Sequence, residues 1–324
     1  MPSLESYIFL VKSILGTMTF GQQVDDARAT EILRRFRAEG GRELDSAYVY
    51  NEGATEDMLG RVLSGFGNAF DVATKANPKI SGRLDAASVR IQLNESLSRM
   101  KLASVPLFYL HMPDPVTPLE ETLEACSRLR AEGKFEELGL SNFPASLVEE
   151  ACAISDRKGW ARPTVYQGLY NGLSRKVEEG LFPTLRRCGL RFYAFNPLAG
   201  GLLSGKHKNF EAGPAEGRFA LRKTYKDRYW KKSYFDALDV LAVRCSEAGI
   251  PMAAAALRWL VHHSLLESAR GDGIIIGVSS LEQLDQNLSA LAQSPLSAPV
   301  LAAFDAAWDA AREDSPDYYY FYTP

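Results

Sequence analysis

The sequence predicts a (β/α)8 TIM barrel with an extra C-terminal helix and long active-site loops. Short apolar runs alternate with helical patterns along all 324 residues, the pattern of parallel strands joined by crossover helices. Eight such runs can be counted. No Pro/Gly/Ser-rich linker interrupts them, so residues 1–324 read as one barrel domain, in a fold that routinely uses about 250 residues or more.

The strands are expected at residues 13–17, 43–45, 70–74, 105–111, 136–140, 164–167, 191–195 and 273–276. Between them, helices are expected at 25–38, 88–100, 119–132, 146–158, 252–263 and 281–291, where apolar residues recur at helical spacing behind cap-type residues. Gly40, Gly133, Gly159, Gly189 and Gly249 stand where a helix would stop in a left-handed residue. Residues 206–234 are polar and aromatic and fall between the seventh strand and its helix, the place of an active-site loop. After Leu296 the chain adds one more helix and the aromatic run Tyr318 to Tyr322, either of which could close over a pocket.

Composition narrows the function classes. Hydrophobic residues make up 46% and charged residues 24%, ordinary globular values that exclude disordered and disulfide-scaffold chains. A formal charge of -3 gives no whole-chain nucleic-acid or membrane footprint. The one cationic stretch, RFALRKTYKDRYWKK at 218–232, reads either as an anion contact or as a solvated loop entering a helix. Cys126, Cys152, Cys188 and Cys245 are far apart and form no CxxC, so zinc and redox motifs are not expected. With only four His, of which His262 and His263 share a helical pattern, no metal site is expected. The apolar run near the N-terminus is too short to span a bilayer and has no basic segment ahead of it, so the expected location is cytoplasmic.

In such a barrel, chemistry lies at the C-terminal ends of the strands. Asp45, Tyr50, Lys75 and His111 end or closely follow three consecutive apolar runs. Singly, each has an ordinary role: an Asp caps a helix, a Tyr is half-buried, a Lys is solvated, a His is structural. Together they converge on one mouth. A Tyr hydroxyl, with an ordinary pKa of about 10, works at neutral pH only beside a cation. Lys75 would be that cation, Asp45 would hold it, and His111 would donate a hydrogen bond to a carbonyl oxygen. This is the division of labour of carbonyl reduction.

Eight motifs in order then carry a specific resemblance: LGTM (15–18), LDSAYVYNEG (44–53), ATKANP (73–78), LFYLHMPD (107–114), GKFEELGLSNF (133–143), PTVYQGLYN (163–171), RFYAFNPLAGGLLSGK (191–206) and GVSSLEQLDQNL (277–288). By these the sequence resembles the aldo-keto reductase superfamily, and within it the aflatoxin aldehyde reductase / succinic semialdehyde reductase family, over nearly the whole chain. The resemblance implies NADPH-dependent reduction of aldehydes, and of dicarbonyls or ketones, with Tyr50 as the general acid and Asp45, Lys75 and His111 completing a tetrad. It implies that Ser141 and Asn142, with Gln167 beside them, hold the nicotinamide carboxamide, and that Tyr193 stacks on the ring. Asn196, Pro197, Leu198, Gly200, Leu202, Ser204 and Lys206 would wrap the pyrophosphate, Gly200 and Gly201 allowing close backbone approach.

Ser279, Gln283, Gln286 and Asn287 would take the adenosine end and its 2'-phosphate, although the same residues suit a capped surface helix. Many relatives carry an Arg at Gln283, so Arg218 or Arg222 from the basic loop would supply the missing charge. Met18, Tyr225, Arg228 and Trp230 are the substrate candidates, from the TYxxRxW segment; an Arg there would pair with a carboxylate on an aldehyde acid. Departures from the family are Gln22 and Gln23, where basic residues are common, and the ending SPDYYYFYTP. The resemblance further suggests a homodimer and a small-molecule aldehyde as partner. A second reading is a regulatory subunit on the same scaffold, similar to the potassium-channel β subunits, marked by slow turnover and tightly held cofactor; the loop and tail match the soluble reductases better.

Overall fold

In the computed structural model, which describes residues 11–213, 219, 220 and 222–322, eight parallel strands close into a barrel in chain order. They are β1 (Lys12–Gly16), β2 (Glu43–Asp45), β3 (Asp71–Ala76), β4 (Val105–Leu110), β5 (Phe135–Ser141), β6 (Pro163–Leu169), β7 (Arg191–Phe195) and β8 (Gly273–Gly277). Closure comes from β1 against β8, paired from Lys12↔Gly273 to Gly16↔Gly277. Each strand lies where the apolar run placed it, within two residues at either end. The N-terminal residues 1–10 and Arg218 lie outside the described residues.

Strand alternation sorts side chains between two cores. One small cluster fills the barrel: Ile14, Ala73, Leu107, Tyr109, Val165, Tyr193 and Ile275, with Phe195 packed against it. The polar Glu43, Asp45, Lys75 and Gln167 share that interior, while Leu15, Leu44, Phe108, Leu140, Tyr166 and Ile276 face the surrounding helices and join a larger apolar shell.

The helices that build the shell start as the caps dictate. Asp25 accepts from the Arg28 N–H to open α1 (Asp26–Ala38). Helix α2 (Ala54–Val62) follows β2, and the four-residue α3 (Pro78–Ser81) follows β3. Asp85 accepts from the Ser88 N–H to open α4 (Ala86–Met100). Next come α5 (Leu119–Ala131), α6 (Ala145–Lys158) and α7 (Leu181–Cys188). The basic loop after β7 is not a plain loop. It contains α8 (Lys223–Tyr229) and the start of α9 (Lys232–Glu247), followed by α10 (Met252–His262). After β8 come α11 (Leu281–Leu291) and the additional helix α12 (Ala298–Ala311), which packs against α9. Gly40, Gly133, Gly159, Gly189 and Gly249 all have φ between 66° and 84°, the left-handed conformation expected of helix stops. No single helix among the described residues is long and apolar enough to cross a membrane.

Candidate active site

Because β2 is only three residues long, Asp45 at its end sits deep in the barrel, 3% exposed. Lys75 on β3 faces the same interior and is 1% exposed. Its ammonium donates to Asp45 Oδ1 and to the Ser46 carbonyl, both at 2.6 Å. The Tyr50 hydroxyl donates to the other oxygen, Asp45 Oδ2, at 2.9 Å, and Lys75 Nζ lies 4.8 Å from the centre of its ring. His111 follows β4 at the same mouth, edge-on to Tyr50 with ring centres 6.3 Å apart. The four residues picked from three separate strand ends therefore form one cluster.

Electrostatics assign their protonation. Burial, then the neighbouring Asp45 carboxylate, hold the Tyr50 hydroxyl well above its ordinary value. The Lys75 ammonium is directed to Asp45 and Ser46, with the Tyr50 ring 4.8 Å away, and the Tyr50 hydroxyl is a donor to Asp45. Burial pulls Lys75 below its usual value, against the pull of Asp45. Burial, then the charges of Lys75 and Lys79, hold His111 well below 6.5, so its imidazole is neutral. Its Nδ1 is buried without a protein partner among the described residues. A neutral ring N–H and a protonated phenol can both donate to a carbonyl oxygen at this mouth.

The backbone around Tyr50 is held under tension. Asn51 and Glu52 both adopt positive φ, 55° and 54°, unusual for non-glycine residues. The Asn51 amide offsets that cost by donating to the Met18 and Phe20 carbonyls at 3.0 and 2.9 Å. Its oxygen accepts from Arg222 Nη2 at 2.7 Å, and the same nitrogen reaches Gln22 Oε1 at 3.5 Å. Arg222 thus ties the loop after β7 to the loops after β1 and β2. Nothing in residue type or spacing marks Asn51 for this role.

Beside the tetrad, Ser141 ends β5 and Asn142 follows with φ 60°. Asn142 Nδ2 donates to the His111 carbonyl at 2.9 Å and to Ser141 Oγ at 3.0 Å. Gln167 on β6 donates to Asp45 Oδ1 at 2.7 Å, so it also braces the tetrad. Tyr193 does not reach this mouth. Its hydroxyl donates to Glu43 Oε2 at 2.7 Å, at the opposite, N-terminal end of the barrel. Residues two apart on a strand share a face but differ by one layer in height. Phe195 is therefore the aromatic residue of β7 at the mouth, and the same alternation could have selected it from the sequence.

Residues 196–206 form a chain of tight turns. Asn196, Ala199, Gly200, Gly201 and Gly205 all have positive φ. A Cβ on Gly200 would stand 2.9 Å from the Tyr225 ring, whereas one on Gly201 would meet nothing nearer than 3.9 Å. Pro197 is buried, Leu198 and Ser204 are half-buried, and Lys206 is exposed. Leu202 is packed in the shell, so only its backbone can face a ligand. At the next strand, Ser280 caps α11 through the Gln283 N–H. The Gln283 side-chain oxygen accepts from Ser279 N and Oγ, at 2.9 and 3.2 Å. Gln286 donates to Glu282 at 3.0 Å, and Asn287 is buried. These four residues carry no positive charge. A nicotinamide dinucleotide needs amide partners, an aromatic face, backbone that can approach a pyrophosphate, and a helix N-terminus. Ser141 with Asn142, Phe195, the turns at 199–201 and the start of α11 fit those needs.

The substrate candidates separate into two groups. The Tyr225 hydroxyl reaches Met18 Sδ at 3.8 Å and donates to Asn196 Oδ1 at 3.2 Å. Arg228, three residues on along α8, has its guanidinium 5.9 and 6.0 Å from the Tyr225 and Tyr229 ring centres. It also hydrogen-bonds Tyr320 of the tail, whose backbone N–H reaches the Asn142 carbonyl at 3.4 Å. The tail therefore crosses the mouth. Trp230 is a correction: it lies beyond the end of α8, donates to the Phe210 carbonyl at 3.0 Å, and packs on His207, Phe219 and Phe235. Spacings of three residues share a helix face, and Trp230 leaves that face.

Comparison with known proteins agrees with this geometry. The model of the Aldo/keto reductase family matches residues 13–309. The chain is 46% identical over 321 residues to human aflatoxin B1 aldehyde reductase member 2, covering 95% of this chain and 89% of that protein. It is 45% identical over 319 residues to human aldo-keto reductase family 7 member A3, covering 95% and 96%. An aldo-keto reductase of Pseudocercospora fijiensis is 36% identical over 296 residues, covering 89% of this chain and all of that protein. With its barrel, its strand-end cluster and these matches, the chain belongs to the aldo/keto reductase family of oxidoreductases.

Proposed function

We propose that this protein is an NADPH-dependent aldehyde reductase in which Tyr50 delivers the proton. The observation that carries the reading is the bonded series Tyr50–Asp45–Lys75 beside a neutral His111 at one mouth. Bound at the mouth, reduced nicotinamide supplies a hydride to the carbonyl carbon. Tyr50 and His111 orient the carbonyl by donating to its oxygen, and the Tyr50 proton passes to that oxygen as negative charge develops there. The Lys75 ammonium and the Asp45 carboxylate keep the phenol fixed, and Lys75 offsets the charge left on it.

The substrate class follows from Arg228. Its surroundings are the phenols Tyr225, Tyr229 and Tyr320, with no carboxylate partner among the described residues. Such a cation suits an aldehyde bearing a carboxylate, while the phenol rings suit an aromatic aldehyde or a dicarbonyl. The choice of NADPH over NADH rests on the family resemblance alone, since the α11 residues are neutral. The test is absorbance at the reduced nicotinamide band with succinic semialdehyde and with an aromatic aldehyde, NADPH and NADH run side by side. Oxidation of NADPH by the natural chain is expected, with a loss of about 10²–10⁴-fold in kcat in Tyr50→Phe and unchanged cofactor binding. A Tyr50→Phe variant with near-normal turnover sinks the assignment.

A further inference from the structure

The four cysteines are far apart in the chain, and the fold brings two of them together. Cys152 lies on α6 and Cys188 is the last residue of α7, the neighbouring helix of the shell. One turn before the two cysteines, these helices are already tied. The Thr184 hydroxyl donates to Glu149 Oε1 at 3.1 Å, and the Arg187 guanidinium donates to both Glu149 and Thr184. Residues three or four apart share a helix face. Glu149 stands three before Cys152 and Thr184 four before Cys188, so the same register sets one thiol against the other. The Cys152 thiol hydrogen-bonds the Cys188 sulfur.

A third group closes the cluster. Arg162, just ahead of β6, donates through Nη1 to the two Asp156 oxygens at 3.0 and 2.9 Å and through Nη2 to the Cys188 carbonyl at 2.9 Å. Its guanidinium also hydrogen-bonds the Cys152 sulfur. A cation beside a thiol favours the thiolate, the form that reacts. Burial, then the Cys188 sulfur, hold the Cys152 thiol above its usual value against that pull. The two sulfurs differ in access: Cys152 is 3% exposed, whereas Cys188 is half-buried between the exposed Arg187 and Gly189. Cys126 and Cys245 are buried, and burial alone raises their thiols.

We propose that Cys152 and Cys188 form a redox modification site, at which a small peroxide converts the thiol pair to a disulfide joining α6 to α7. Cys188 stands three residues before β7, at the N-terminal end of the barrel and away from the mouth, so the inference is independent of the proposed reduction. Cys188, the accessible sulfur, attacks one peroxide oxygen. The O–O bond breaks, the first water leaves with the Cys188 thiol proton, and Cys188 becomes a sulfenic acid. The Cys152 sulfur then attacks the Cys188 sulfur. The S–O bond breaks, and a second water leaves with the Cys152 thiol proton. Two thiols thereby lose two electrons to one peroxide and yield one disulfide and two waters. Because Cys152 is already in contact, it captures the sulfenic acid before more oxygen is added, the step that is irreversible.

Peptide mass mapping of the reduced full-length chain after exposure to hydrogen peroxide, with free thiols alkylated at the quench, tests the site. A linked Cys152–Cys188 peptide is expected, lighter by two hydrogens and released by dithiothreitol, with Cys126 and Cys245 recovered as alkylated thiols. The crosslink closes a loop of about 36 residues, from 152 to 188, so oxidation should raise the thermal midpoint by about 3–6 °C. Cys188→Ser should lose both the linked peptide and the shift. In Cys152→Ser, Cys188 should instead run on to the sulfinic acid. Should Cys152→Ser fail to fold, Cys188→Ser, altered at a half-buried helix end, carries the comparison. Sulfinic acid on Cys188 of the natural chain with Cys152 recovered as thiol overturns the pair. A crosslink through Cys126 or Cys245, or both thiols recovered unreacted, overturns it equally.

Discussion

Arg228 is a guanidinium enclosed by phenols on a helix of seven residues, and its placement sets a preference for substrate charge. A charge-assisted hydrogen bond to a substrate carboxylate contributes about 1.5–3 kcal/mol, so Arg228→Gln should raise KM for a carboxylate-bearing aldehyde by about 10- to 100-fold. For a neutral aromatic aldehyde the same change should leave KM within about threefold, because only packing against the stem is altered. Steady-state kinetics with both substrates on both proteins checks this; equal effects on the two would remove Arg228 from carboxylate recognition. At this scale the sequence was most informative where chemistry is concentrated. Asp45, Tyr50, Lys75 and His111 could be read from strand ends because few polar residues close an apolar run. Tyr193 misled because two aromatics occupy one face of β7, and only the height of each along the barrel separates them. Arg222 and Asn51 were not readable as a pair, since their contact joins loops 171 residues apart.

Elements were legible in proportion to the regularity of their burial. All eight strands sit inside the barrel's shell, so most carry a buried apolar stretch that stands out, although β2 is only ELD and two Glu interrupt β5. Several helices hid behind local exceptions. Helix α7 contains Pro183, harmless because it falls in the first turn, where no N–H is needed. Helices α8 and α9 begin inside a run of Lys, Arg and aromatics that resembles a loop. Helix α2 is interrupted in pattern by Gly60, which the fold requires. A Cβ there would stand 2.1 Å from the Arg99 carbonyl oxygen at the end of α4, and a backbone atom cannot rotate away. Gly60→Ala should therefore destabilise the protein by about 1–3 kcal/mol through overpacking, despite the better helix propensity of Ala. Urea unfolding of the two proteins measures it; an unchanged or higher midpoint would show that α2 and α4 can separate at little cost.

Across the whole molecule, the barrel couples catalysis to stability because Asp45 and Lys75, among its buried polar groups, are also functional ones, and because His111 sits against them. His111 shows the coupling with a definite sign. Its folded-state pKa lies well below 6.5, burial being the largest cause and the charges of Lys75 and Lys79 adding to it. In the unfolded chain it titrates near 6.5. Above that pH neither state holds the proton, and the group adds no pH dependence. As pH falls through 6.5, the unfolded chain binds a proton that the folded barrel refuses, so stability falls by about 1.4 kcal/mol for each further pH unit until the folded pKa is reached. His207 and His263, also lowered by burial, push the same way but sit nearer solvent. Glu56 and Glu178 oppose it, because burial raises their pKa values and the folded state then binds protons more readily than the unfolded one. A comparison with His111→Gln separates these contributions, since that variant keeps every group except the imidazole. Urea midpoints taken between pH 7.5 and 5 should fall more steeply in the natural chain than in His111→Gln, with the gap opening below pH 6.5. Parallel curves would mean that His111 takes up its proton inside the barrel, and its role as a neutral donor to the carbonyl oxygen would fall with that result.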